Sequence, residues 1–197
     1  MIAKRIFDLI FALTGTILLL PVFVCIVVWI KLDSSGAVFF RQERVGQFGK
    51  SFRIFKFRTM CLDAEANGRQ ITVGEDPRIT RSGKFLRHYK LDELPQLLNV
   101  ISGEMSLVGP RPEVPRYVAL YPSDVRKQVL SVPPGITDYA SIEYKDENAI
   151  LGRAVDPDRA YIEEVMPVKL CYYQRYVAER SLWVDFKLIM KTLKAII

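Results

Sequence analysis

Between Asp8 and Lys31 no charged residue interrupts a run of apolar positions, and Pro21 stands in the middle of it. At ~1.5 Å per helical residue the run is long enough to cross a hydrocarbon layer of ~30 Å. Pro21 has no backbone donor and its ring crowds the preceding turn. The pattern therefore predicts a helix bent or broken at Leu20, with a longer first arm and a shorter second one. Lys4 and Arg5 precede the run and Lys31, Arg41 and Arg44 follow it, so charge gives little reason to put its ends on opposite sides. A single span and a helix that dips in and returns are both open on this pattern. A cleavable signal peptide fits less well, because the apolar region is too long and no small-x-small site follows.

Beyond this segment the pattern changes. Residues 37–40 and 51–60 read as two strands, the second ending in Lys56-Phe57-Arg58-Thr59-Met60. Residues 63–77 are polar and contain glycine, as a loop beside a site would. Residues 79–89 predict a basic amphipathic helix, with Ile79, Phe85, Leu86 and Tyr89 on one side. Such a helix either lies against anionic lipid or presents a solvated face. Leu94, Leu97, Leu98 and Ile101 recur at helical spacing, with Asp92 where an N-cap belongs and Pro95 in the first turn. Residues 139–144 read as a strand. Leu182, Phe186, Ile189, Met190, Leu193 and Ile197 form a last helical stripe that Ser181 can cap; it suits core packing or an interfacial helix. The pattern predicts a mixed α/β (α+β) fold: an N-terminal membrane helix broken at Pro21, residues 1–32, followed by one small catalytic or binding domain, residues 33–197, with amphipathic helices.

A net charge of +6 suits an anionic partner such as a phospholipid surface, a nucleotide or a nucleic acid. Cys25, Cys61 and Cys171 are odd in number and irregularly spaced, which indicates neither a disulfide framework nor a zinc site and fits a reducing compartment. No internal repeat and no nucleic-acid motif stands out.

Two segments carry candidate chemistry. Asp92 and Glu93, adjacent at a helix start, read first as cap and dipole partner, and alternatively as a divalent-metal pair beside N–H groups that attract phosphate. A carboxylate so placed can also attack phosphorus. In Gly109-Pro110-Arg111-Pro112 the two prolines restrict the backbone around Arg111, a presentation suited to phosphate recognition as well as to a structural turn.

Lys56-Phe57-Arg58-Thr59-Met60, Leu91-Asp92-Glu93-Leu94-Pro95-Gln96, the run from Gly103-Glu104-Met105 to Gly109-Pro110-Arg111-Pro112, and Pro134-Gly135-Ile136-Thr137 stand in that order behind the apolar N-terminus. The set resembles the bacterial sugar transferases, and within them the small monotopic phosphoglycosyl transferases, over essentially the whole chain. The resemblance implies transfer of a sugar-1-phosphate from a UDP-sugar to undecaprenyl phosphate, with release of UMP. It implies Asp92 as nucleophile, forming a covalent phosphosugar, and Glu93 sharing in Mg2+ binding or site electrostatics. Arg87 and Arg111 match phosphate-holding positions, Lys56 and Arg58 support the anionic pocket, and Lys145 stands where an Arg is frequent. It also implies a re-entrant helix at the cytoplasmic face of the bacterial inner membrane, in contact with membrane lipids, and no nucleic-acid partner. The oligomeric state is left open, a homodimer being one option. Leu20 replaces a serine common before the proline, which leaves Pro21 to bend the helix without a hydroxyl. Asp138, Tyr139, Ala140 and Ser141 depart from the usual pattern, so no sugar identity follows. A metal-dependent nucleotide-sugar diphosphatase and a non-catalytic membrane scaffold are the competing readings.

Overall fold

The computed structural model describes residues 2–61, 76–144 and 147–196. The loop expected over residues 63–77 lies outside them except for its last two residues, and Lys145 lies outside them as well. The apolar run forms two helices, α1 (Ile2–Leu18) and α2 (Leu20–Asp33), bent by 59° at Leu19. Neither alone is long and apolar enough to cross a membrane; the pair passes that test only together. Leu20 opens the second arm, and Pro21 occupies its first turn, where a missing N–H goes unnoticed. The bend does have a hydroxyl: Thr16 Oγ1 donates to the Ala12 carbonyl at 2.7 Å, one turn back in α1.

The first arm is tied to the rest of the chain. Arg5 donates to the Val100 and Ile101 carbonyls at the end of α4 (Gln96–Ser102), a cation at a helix C-terminus. Asp8, 3% exposed, accepts from Ser106 Oγ at 2.9 Å and from the Leu107 amide at 3.2 Å. Lys4 bridges Asp8 and the buried Asp185, each at 2.9 Å. Ala12 joins Phe52, Ile54, Leu97, Val100 and Met105 in one apolar cluster.

The sheet content is small. β1 (Phe39–Val45) pairs antiparallel with β2 (Ser51–Phe57), and β3 (Ser106–Val108) runs parallel to β4 (Gly135–Thr137). The second strand is shorter than its pattern suggested, and Met60 makes a lone bridge to Ile79. α3 (Arg81–His88) starts at Thr80, whose hydroxyl accepts from the Gly83 amide. A side chain at Gly83 would put its Cβ 2.1 Å from the Thr59 carbonyl, so only glycine lets α3 meet the end of β2. The expected apolar side of α3 divides: Leu86 is fully buried, while Phe85 and Tyr89 stay exposed, with Phe85 packed at a tilt between Tyr89 and Trp29 of α2.

Short helices α5 (Pro115–Val118) and α6 (Ser123–Val129) lead into β4. Residues 139–144, read as a strand, instead form α7 (Tyr139–Glu143). The reason is local: Asp138 caps it, accepting from the Ser141 amide at 2.6 Å, and a cap overrides the weak strand preference of two tyrosines and an isoleucine. α8 (Glu147–Arg153) and α9 (Pro157–Ala160) follow, and a π-type turn at Tyr161–Val165 runs into α10 (Met166–Glu179). These pack in the largest cluster around Val118, Val129, Tyr161, Val165 and Tyr173.

The last helix, α11 (Leu182–Ile196), has Ser181 as its cap, with Oγ accepting from the Val184 amide. Leu188 and Asp185 face the interior, whereas Leu182, Phe186, Met190 and Leu193 of the expected stripe are exposed. Core packing therefore takes only Ile189 of that stripe, partly buried beside Leu188, and Ile197 lies outside the described residues.

Candidate active site

The end of β2 sends alternate side chains to different partners. Lys56 Nζ donates to Glu93 Oε1 at 2.8 Å, and Arg58, two residues on, donates through Nη2 to the carbonyl and hydroxyl of Ser34 just past α2. Thr59 Oγ1 accepts from Arg87 Nε at 2.9 Å, which turns this arginine of α3 inward. The one motif thus ties β2 to the acidic pair, to the end of α2 and to α3.

Asp92 was expected to cap the next helix. It does not. Lys90 adopts a left-handed conformation (φ 54°), ends α3 and starts a 3-10 turn, Leu91–Glu93. Pro95 occupies the cap position of α4 and no side chain caps it. The Asp92 carboxylate is thereby free of a capping role, and among the described residues it accepts no hydrogen bond and joins no ion pair, although Asp92 is only 9% exposed.

Arg111 reaches Glu93 from the opposite side. Gly109, just after β3, and Gly135, which opens β4, let the two backbones meet in contact: a Cβ on Gly135 would fall 2.0 Å from the Gly109 nitrogen. Gly135 N donates to the Pro110 carbonyl at 2.9 Å and Gly109 N to that of Thr137 at 3.1 Å, which fixes the loop carrying Arg111. Its Nη1 leans on the Ile136 carbonyl and its Nη2 donates to Glu93 Oε1.

Two adjacent carboxylates thus acquire opposite electrostatics. Burial pushes Asp92 above its ordinary value, and the Glu93 charge adds to this while Lys56, Arg87 and Arg111 oppose it. Burial also acts on Glu93, but Arg111 and Lys56 outweigh it and hold that carboxyl well below the usual range. Arg111 is raised by the Glu93 charge against its own desolvation. Paired acids driven apart in this way mark a division of roles.

Among the described residues no three His, Cys, Asp or Glu side chains gather, so there is no cage built from protein alone. Magnesium commonly uses one or two carboxylates completed by substrate phosphates. The pair fits that mode: both cations share Glu93 Oε1, leaving Oε2 and the Asp92 carboxylate for an ion.

Of the residues singled out in the sequence, Asp92, Glu93, Lys56, Arg111 and Arg87 meet at one place. Arg58 is not brought among them: its Nη2 is turned to Ser34. Thr59 was missed, as was Asn99, which grips β2 by accepting from the Phe55 amide and donating to the Arg53 carbonyl. A polar residue amid the apolar spacing of α4 was the available signal for Asn99. Gln96 is fully buried with neither amide atom partnered.

The family description "Bacterial sugar transferase" matches residues 1–197. The chain belongs to the bacterial sugar transferases. Family members include a UDP-N-acetylgalactosamine-undecaprenyl-phosphate N-acetylgalactosaminephosphotransferase of Aeromonas hydrophila, 37% identical over 98% of this chain and 43% of its own length. A UDP-glucose:undecaprenyl-phosphate glucose-1-phosphate transferase of Escherichia coli is 37% identical over 96% of this chain and 39% of its own length. The uncharacterized sugar transferase EpsL of Bacillus subtilis is 35% identical over the whole chain and 88% of its own length. The chain therefore spans about two fifths of the first two relatives and most of the third.

Proposed function

We propose that this protein transfers a sugar-1-phosphate from a UDP-sugar to undecaprenyl phosphate, giving the undecaprenyl diphosphate sugar and UMP. The observation that carries the reading is the Asp92 carboxylate, unpartnered among the described residues, beside a glutamate whose Oε1 is held by both Lys56 and Arg111. The names of the relatives support the substrate classes.

An oxygen of ionised Asp92 attacks the β-phosphorus of the donor. An acyl-phosphate bond forms, the bond from that phosphorus to the bridging oxygen breaks, and UMP leaves with the bridging oxygen. A phosphate oxygen of the lipid then attacks the same phosphorus, the bond to Asp92 breaks, and the carboxylate is regenerated. One site thus serves a water-soluble and a lipid substrate in turn. Arg111 and Arg87 hold phosphate oxygens as charge moves onto the leaving group, with Glu93 and Thr59 orienting them. Mg2+, held by Asp92 and Glu93, supplies charge neutralisation at the diphosphate when bound.

The bent apolar pair α1 and α2 acts as a re-entrant membrane element, with residues 33–197 at the cytoplasmic face of the bacterial inner membrane. The exposed stripe of α11 and the Trp29, Phe85 and Tyr89 patch lie at the lipid interface. These features favour a lipid acceptor over water, and so a transferase over a diphosphatase.

The test is UMP release from a panel of UDP-sugars with magnesium, each with and without undecaprenyl phosphate. Multiple-turnover release that requires the lipid supports the transferase. Equal release without lipid means hydrolysis, and no release from any donor favours the scaffold.

A further inference from the structure

Arg111 is held through its backbone neighbours on both sides, and one of the holding groups is a side chain of β1. Gly135 N donates to the Pro110 carbonyl and Val45 N to the Glu113 carbonyl, each at 2.9 Å. These are backbone contacts, which come with the strands. Arg44 adds a side-chain contact: its Nη1 donates to the carbonyl of Pro112, the residue after Arg111, at 3.2 Å and lies 3.6 Å from Glu113 Oε2. Arg44 is itself fixed from two directions. Its Nη2 donates to Gln42 Oε1 at 2.6 Å, and the buried Glu113 accepts from Tyr161 Oη at the π-type turn, with Lys169 Nζ at 4.0 Å.

The hairpin joins this contact to the acidic pair. β1 and β2 place Phe40 opposite Lys56, Gln42 opposite Ile54 and Arg44 opposite Phe52, and directly opposed residues share a face. Arg44 and Lys56 therefore leave the same face of the hairpin, four residues or about 13 Å apart along the strands. From one end Lys56 takes Glu93 Oε1; from the other Arg44 takes the carbonyl beside Arg111, whose Nη2 takes the same glutamate oxygen. The contacts close a ring through β2, Glu93, Arg111, Pro112, Arg44 and β1. Burial lowers the Arg44 pKa, Glu113 opposes this and the Arg111 charge adds to the lowering, so the two guanidiniums lie within each other's field.

We infer that Arg44 is a positioning residue of the transferase site: by holding the Pro112 carbonyl against the β1–β2 hairpin, it fixes where the Arg111 guanidinium meets the donor phosphate. The inference rests on the transferase reading above, in which Arg111 holds phosphate oxygens. Misplacing a catalytic group by about 1 Å is enough for a hundredfold loss in rate. The two prolines limit the backbone around Arg111 but do not place the loop relative to Glu93; a donor anchored in the strand that pairs with the Lys56 strand does. Arg44 acts through Arg111 and makes no contact of its own with the ligand.

The experiment is a double-mutant cycle on UDP binding with magnesium, using the full chain in phosphatidylcholine nanodiscs. Arg44→Met is expected to weaken UDP binding about tenfold when Arg111 is present, the lower end for a hydrogen bond from a charged group, and less than about twofold in the Arg111→Ala background. Arg44→Lys keeps the charge beside Glu113 and a donor for the carbonyl, and is expected to recover part of the loss. Hydrogen exchange in residues 107–114 of the ligand-free chain is expected to quicken about tenfold in Arg44→Met, with exchange in α3 unchanged. Wild-type UDP binding and exchange in Arg44→Met overturn the inference. An equal loss of binding in both backgrounds also overturns it, because a direct ligand contact or a general loosening of the fold gives additive losses. Where the methionine variant does not fold, the lysine variant carries the same cycle. Arg111→Ala binding UDP as the wild type does removes the phosphate role of Arg111 and this inference with it. A wild type that binds UDP but releases no UMP from any donor counts against the transferase reading, while the binding cycle tests Arg44 separately.

Discussion

Glu93 Oε1 accepts from Arg111 Nη2, so the arginine fixed between two prolines is tied to the residue that follows Asp92. Lys56 shares the same oxygen. The clamp occupies Glu93 and leaves Asp92 open, and the predictions below depend on that difference.

Asp92→Asn is expected to lower lipid-dependent UMP release by roughly 10^3- to 10^6-fold, the range for loss of a nucleophile. The ionised Asp92 is penalised by burial at neutral pH, so the amide is expected to leave the unfolding midpoint unchanged or raised. Turnover surviving in the purified variant would falsify the nucleophile assignment.

Glu93→Gln removes the charge shared by two cations. Both are partly buried, so the expected loss is about 1–3 kcal/mol of stability, at the lower side of values for a broken buried pair. Turnover is expected to fall as well, because Arg111 loses its orientation. Chemical denaturation together with initial rates reads both; a fully active, equally stable variant would show that Glu93 is a bystander.

The two carboxyls predict opposite responses to pH. Asp92 must be ionised to attack, so the rate is expected to rise with pH through a value above the ordinary 3.8. Removing the opposing charge in Lys56→Met is expected to move that acid limb to higher pH. For stability, the lowered pKa of Glu93 makes a contribution fully present above its unfolded value of about 4.3 and lost as pH falls below that toward the folded one. The raised pKa of Asp92 acts in the other sense, its penalty easing as pH drops through it. Profiles of kcat/KM and of urea midpoints separate these effects, and a Lys56→Met profile superimposed on the wild type would contradict the first.

Asp8 holds α1 to β3, close to the loop that presents Arg111. Asp8→Asn leaves Lys4 with Asp185 alone, and a cost of about 1–3 kcal/mol is expected, smaller than for a fully buried broken pair because Lys4 is partly exposed. Limited proteolysis near the N-terminus is expected to accelerate while membrane retention is unchanged. Equal cleavage rates would show that the contact does not hold α1 in place.

The re-entrant arrangement predicts that a cysteine placed near Met1 is shielded from a periplasmic thiol reagent in intact cells and labelled after permeabilisation. Labelling before permeabilisation would restore a single span.

The sequence by itself determined the apolar N-terminal segment and its proline-centred break, the acidic pair, the proline-bounded arginine and the family. Each is written in a short continuous stretch, where chain geometry and residue chemistry act locally. Only the tertiary structure decided how these pieces are used. Asp92 loses its expected capping role because Lys90 turns left-handed and Pro95 takes the cap position. Residues 139–143 become helical because Asp138 finds the Ser141 amide. Leu182, Phe186, Met190 and Leu193 of α11 face outward because Asp185 and Leu188, on another side of the helix, are drawn inward, Asp185 to Lys4 and to Tyr176. Arg111 and Arg58, alike as basic residues in the sequence, end with opposite fates: the first is paired with a glutamate 18 positions away, the second is buried with no counter-charge at ion-pair distance among the described residues. Pairings of that kind arise when distant segments are brought together and desolvated, and no local pattern records which charge will meet which.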